Sequence, residues 1–191
     1  MTCSNKFSIV TNNYLARYYD ILDEMIQGME SARLCDSISH NFIVQMIPHH
    51  KAAIEMSHNL LKYTTFIPLQ NIALGIIEEQ TKSIADMEAA LRRCSQHKNT
   101  RQELCLYSDC YQSITKTMFT DMRNACSKND INANFMREMI PHHRGAVQMS
   151  ENALRYPICP QLVSILEAII SSQKKGIREM EKLLCCLQRE A

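Results

Sequence analysis

The chain has 191 residues, 21 basic and 20 acidic, with a formal net charge of +1. This is long enough to bury a sizeable core, and it carries neither a nucleic-acid-binding basic stripe nor a polybasic membrane anchor. Four glycines, five prolines and no tryptophan, with long runs free of turn residues, favour an all-helical protein over a sheet protein. No segment is apolar for long enough to span a bilayer, and the opening MTCSNKFSIVTNNY lacks a signal-peptide core, so a cytoplasmic location is expected.

Periodicity predicts a first helix at roughly 11–33, where Tyr14, Tyr18, Ile21, Met25 and Met29 recur at spacings of three and four and so share one face. A second helix is predicted at roughly 37–63, starting at Asp36 or Ser37. Its stripe runs through Phe42, Met46, Ala53, Ser57 and Leu60, with His49 and His50 flanking the centre on either side, so that each imidazole faces a neighbouring helix. Pro48 lies inside it and is expected to free a carbonyl and bend the helix just before the histidines. The third helix, roughly 66–96, carries Ile77, Gln80, Ile84, Met87 and Leu91 on one face, Gln80 being the polar exception. A short polar link, Ser95 to Glu103, follows.

The remaining three helices, at roughly 104–126, 130–156 and 159–189, repeat the first three. At an offset of 93 and without a gap, 22 of the 50 positions from Phe42 to Leu91 are identical to their partners, so the chain is an internal duplication of residues 1–98 and 99–191. Two such units are expected to pack as a helical bundle related by a pseudo-twofold.

Ten of the 12 methionines fall into five repeat pairs: Met25 and Met118, Met29 and Met122, Met46 and Met139, Met56 and Met149, Met87 and Met180. Methionine in a core exchanges readily for Leu or Ile, so its retention at five positions in two diverging copies asks for a reason. A methionine stripe is ordinarily packing, and a lone histidine on an apolar face is ordinarily a hydrogen-bonded core residue. Adjacent imidazoles entering a Met-rich interior twice, His49 with His50 and His142 with His143, shift the balance toward a metal site in each half. The candidate ligands are these four histidines and the ten paired methionines. Thioether with imidazole suits Cu(I) and, by extension, Ag(I); histidine alone would also hold other transition metals such as Cu(II) or Ni(II). At 1.5 Å per residue, Met25, Met46 and Met87 converge at one level, with Gln80 or Glu88 placed to orient a ring.

Two competing readings are weighed against this. A ferritin-type di-iron redox site needs inward glutamates and Glu-x-x-His motifs. Glu55 and His58 have the spacing, but Glu55 falls opposite Met46, and the second copy has Gln148 and Glu151 there. The other reading is a metal-independent scaffold or partner-binding bundle with structural histidines. None of the nine cysteines has a cysteine as its repeat partner. They are read as reduced thiols, with Cys35 beside Cys94, and Cys126 beside Cys185 or Cys186, at helix ends.

At these motifs the chain resembles the domain-of-unknown-function-305 family, whose hallmark is a phenylalanine, then Met-Ile-Pro-His-His, then Ala-x-x-Met. Here these are Phe42, Met46 to His50, Ala53 and Met56, and again Phe135, Met139 to His143, Ala146 and Met149. The family's Gln-x-x-Glu-Ile-x-x-Met is matched by Gln80, Ile84 and Met87 and by Gln173, Ile177 and Met180, with Ser83 and Gly176 replacing its glutamate. The resemblance implies a ferritin-like helical fold and, from exported CopM-type members, copper and silver binding through Met and His. The expected protein is a non-enzymatic, soft-metal storage, buffering or resistance protein; a metal-dependent oxidase is the catalytic alternative. Its expected partners are the metal ion and either a metal-delivery protein or a second copy of itself, with no nucleic acid and no membrane.

Overall fold

The computed structural model describes residues 7–125 and 128–189, the last two of these in backbone only. It contains six helices: α1 (Ile9–Glu30), α2 (Ile38–Leu61), α3 (Ile67–Cys94), α4 (Arg101–Arg123), α5 (Ile131–Ala153) and α6 (Pro160–Arg189). The described residues contain no strand. Each start has a local cause. The Ser37 hydroxyl accepts from His40 N, and the Asp130 carboxylate accepts from Ala133 N. Two starts lie a few residues ahead of the periodic stripes that predict them. Ser8 caps α1, and Thr100 caps α4 through a full capping box with Glu103, each before the first inward-facing residue.

The duplication shows at the level of single bonds. Asn59 Nδ2 donates to Tyr14 O at 3.1 Å, and Asn152 Nδ2 donates to Tyr107 O at the same distance. Asn41 pairs with both backbone groups of Cys35, as Asn134 does with Lys128. Tyr14 meets Tyr63 edge-on, and Tyr107 meets Tyr156 in the same way. Each of these contacts is carried onto the other by the offset of 93.

Within each half, the middle helix packs on both of its neighbours. Between halves, α2 packs on α5 and α3 on α6. So α2, α3, α6 and α5 close a ring in which each packs on the next, while α1 and α4 flank α2 and α5. This places the two middle helices, which carry the His-His pairs, back to back in the centre. Both helices run unbroken through Pro48 and Pro141. At the first of these, α1 comes close enough that a Cβ on Gly28 would lie 2.9 Å from Pro48 Cβ, so any larger residue would push α1 away.

Candidate metal centre

All fourteen candidate residues are buried, and the four imidazoles have between 0 and 2% of their surface exposed. The flanking positions send them in two directions. His49 and His142 point across the interface between halves, where each Nε2 meets the backbone carbonyl of the other, at 3.2 and 3.1 Å. Their rings stack with centroids 3.7 Å apart and planes 23° from parallel. A carbonyl can only accept, so both Nε2 atoms carry the proton and each neutral ring keeps its lone pair on Nδ1. His50 turns instead toward α3, with Nε2 at 3.1 Å from Ser83 Oγ. His143 turns toward α6, against Gly176.

No protein group meets the second nitrogen of any of the four: the Nδ1 atoms of His49, His50, His142 and His143 are all buried without a hydrogen-bond partner. Buried polar atoms are normally satisfied, and leaving one bare costs about 1–3 kcal/mol. Burial also holds every ring in the neutral, ligating form. His142 is pushed down to about 4 and His50 to about 3, desolvation being the larger cause and the nearby His142 ring adding to it for His50. His49 and His143 are likewise driven well below the ordinary range by burial, then by the other rings.

The methionines surround this centre as core. Eight of the ten lie on α2, α5, α1 and α4, and Met87 and Met180 on α3 and α6 are fully buried. Met118 lies directly over the α5 backbone: a Cβ on Gly145 would fall 2.0 Å from its Sδ. Gly145 follows His142 by three residues, so the thioether is held beside the imidazole-bearing turn.

Several sequence-based placements change. His50 is oriented by Ser83, not by Gln80 or Glu88. Gln80 is buried with both amide atoms unpartnered, and Glu88 lies at the surface. Cys35 is exposed, whereas Cys94 is buried with Cys159 as its thiol neighbour. Burial, then Cys159, pushes the Cys94 thiol up to about 12. The link is tertiary: Cys159 N donates to Ser39 Oγ and Ser37 Oγ to Cys94 O, tying the start of α6 to the ends of α2 and α3. Cys126 lies outside the described residues. Glu55 and His58 face outward, the former toward Arg17, and among the described residues no three His, Cys, Asp or Glu side chains converge as a di-iron or zinc site needs.

One buried group was not legible in the stripes. Glu138 sits in the core and accepts from Tyr14 Oη at 2.6 Å; its repeat partner is Gln45. Burial pushes its carboxyl up to about 8, against the lowering effect of the Tyr14 bond. The only signal in the sequence is that positions 45 and 138, just before the repeated Met-Ile-Pro-His-His, are both polar. Since the folded pKa lies above the unfolded 4.5, the unfolded chain loses this proton first, and the penalty on folding grows as pH rises from 4.5 to 8. Glu138→Gln, which installs the amide already used at position 45, should therefore raise the melting temperature at pH 8 by at least about 2 °C and much less at pH 5. Equal shifts at both pH values would show that the carboxyl is ionised in the fold.

The fold is shared with solved structures. The silver-bound form of CopM is 25% identical and superposes with a TM-score of 0.57, covering 76% of this chain and 93% of that one. The Cu(II)-bound form of CopM gives 24% and 0.60, over 78% and 97%. A DUF305 fragment from Deinococcus radiodurans gives 23% and 0.56, over 77% and 95%. No curated protein sequence matches the chain. The family described as "Domain of unknown function (DUF305)" matches residues 39–184, which takes in both His-His helices and most of the closed ring, and the chain belongs to that family.

Proposed function

We propose that this protein binds a soft metal ion, Cu(I) or Ag(I), and serves in its storage, buffering or detoxification without catalysing a reaction. The observation that carries the reading is the set of four buried Nδ1 atoms, neutral and unpartnered, in a core built from paired methionines. Imidazole and thioether are the donors present, and together they match a soft monovalent cation better than Zn(II) or Fe(II). The silver-bound CopM supports the same choice at 25% identity. His50 and His143 are the nitrogen ligands assigned, and the buried paired methionines are the thioether donors. His49 and His142 keep Nδ1 available while Nε2 holds the halves together.

The test is a thermal titration under reducing conditions. Ag(I) or Cu(I) at 100 times its Kd should stabilise the fold by about 2.7 kcal/mol, and Zn(II) or Fe(II) by far less. His50→Gln with His143→Gln should remove the shift. Met46→Leu or Met139→Leu conserves volume, so it should weaken binding while costing under about 1.5 kcal/mol of metal-free stability. The second reading, a metal-independent scaffold, is favoured by the bonds from His49 and His142 to opposite carbonyls, which explain half of the histidines structurally. It predicts no metal-dependent shift and Leu variants that differ from the parent only in stability.

A further inference from the structure

Among the positions at which the two halves differ, one pair stands directly against the imidazoles. Residues 83 and 176 are repeat partners on α3 and α6, serine in the first half and glycine in the second. Ser83 Oγ lies 3.1 Å from His50 Nε2 and covers that edge of the ring. At Gly176 there is nothing to do so: a Cβ there would stand 3.0 Å from both Cδ2 and Nε2 of His143.

Two grooves between α3 and α6 flank these positions. The first, of about 290 Å³, is lined by Lys82, Ser83, Asp86 and Ile165 among others, with Ser83 and not His50 at its wall. Every one of its lining residues has its repeat partner in the second groove, including Lys175, Gly176, Glu179 and Ile72. They are therefore the same groove seen twice. The second is larger, about 410 Å³, and His143 itself forms part of its wall. Gly75, where the first groove has Ala168, adds to the room: an added Cβ there would meet nothing within 4 Å. Glu79 and Glu179 stand at this mouth beside Lys175 and Lys182, with Lys175 reaching Glu79 at 3.9 Å.

Resting on the soft-metal reading, we propose that the groove at His143 is the port through which the ion enters and leaves, and that the His50 site is sealed by Ser83. The two carboxylates at the mouth are balanced by the two lysines and are hard donors, so nothing in the groove holds a soft ion short of the ring. The His143 ring in the wall presents its Nε2 edge beside Gly176 with no side chain over it, so the ring is free to turn and offer Nδ1. At the other groove the Ser83 bond to Nε2 holds the His50 ring across the way in, and an ion reaches its Nδ1 only after that bond breaks and the ring turns. The two sites are thus a fast-exchanging and a slow-exchanging member of one duplicated pair.

The test begins on metal-free protein, treated with diethyl pyrocarbonate, which acylates accessible neutral imidazoles, followed by peptide mapping. His143 should be modified and His50 spared; Gly176→Ser should protect His143, and Ser83→Gly should expose His50. The parent loaded with Ag(I) should then release it to an excess of a thiol chelator in two phases. Gly176→Ser should slow the fast phase by about tenfold, and Ser83→Gly should quicken the slow one by a similar factor, as expected when a single hydrogen bond gates the ring. Far-ultraviolet circular dichroism confirms that each variant folds, and Ser83→Gly, which only removes atoms, carries the test if Gly176→Ser does not. Equal modification of His50 and His143 in a protein that does take up Ag(I) would overturn the port and leave the metal reading standing. Selective modification of His143 in a protein that takes up no Ag(I) would overturn the metal reading, and the port with it.

Discussion

Replacing His49 or His142 by alanine should cost about 2–4 kcal/mol each, and replacing both should cost less than the sum by about 0.5–3 kcal/mol. Each ring is fully buried, so its loss leaves a cavity between α2 and α5. It also removes an N–H donor from the opposite carbonyl and a stacked partner from the opposite ring. The second loss falls on contacts the first has already broken, and the coupling in a double-mutant cycle reads this directly. Urea unfolding of the four proteins supplies the values. Additivity within about 0.3–0.5 kcal/mol would mean that the two rings act independently and that the central clamp does not exist. The clamp also changes how metal loss is to be read. Sequence leads one to expect that removing one His-His pair empties one half only; but His49 bonds the other half, so the clean pair of probes is His50 and His143.

Below pH 6.5 the metal-free protein should lose stability steeply. Unfolded histidines take up a proton near 6.5, whereas His142 and His50 in the fold resist until about 4 and 3, and His49 and His143 are also held well down. Between those limits the unfolded chain binds more protons, so unfolding becomes easier as pH falls. Each such group contributes about 1.4 kcal/mol per pH unit, and four acting together outweigh the single opposing carboxyl in this range. Glu138 acts with the opposite sign over 4.5 to 8, but it is one group against four. Denaturant unfolding at pH 7, 6 and 5 should give a slope corresponding to uptake of more than one proton between 6 and 5. A flat profile there would mean that the rings are already protonated in the fold or reach water. Saturating Ag(I) should raise the whole profile, so that the fold survives to lower pH, because the ion binds the folded state while the unfolded histidines still take up their protons.

The soft-metal reading and the clamp divide the two adjacent histidines between tasks that one residue type performs in different ways. A ring whose proton is fixed by a carbonyl is held in position and in tautomer. A ring that meets an open groove keeps the freedom to bind and release, and one held by a hydroxyl does so only when that bond breaks. Adjacent positions on a helix point about 100° apart, so a single His-His dipeptide serves both neighbours of the middle helix at once.

The sequence by itself determined the helical class, the duplication and the core faces of the first two helices. These depend on periodicity and on residue-by-residue identity at a constant offset, which a chain displays without being folded. On the third helix, Gln80 and Met87 are buried but Ile76 takes the inward place expected of Ile77, with Ile84 and Leu91 half-buried. The stripe Tyr14, Tyr18, Ile21, Met25, Met29 is buried throughout, and the flanking of the second stripe by His49 and His50 correctly sends them to two different helices. Only the tertiary structure decided what those rings meet. That His49 bonds the carbonyl of His142, that Cys94 lies beside Cys159, and that Tyr14 reaches Glu138 are contacts across 93, 65 and 124 residues of chain. No local propensity encodes such pairings; they arise from the way the two halves dock. The same holds for Ser83 and Gly176. In the sequence they are one difference among 28 in a window of 50, and only the packing of α3 on α2 and of α6 on α5 places them over the imidazoles. Local sequence sets which faces are apolar and where helices begin, whereas the partner of a buried polar atom is fixed by docking geometry, because every such atom must find its match in whatever surface is brought against it.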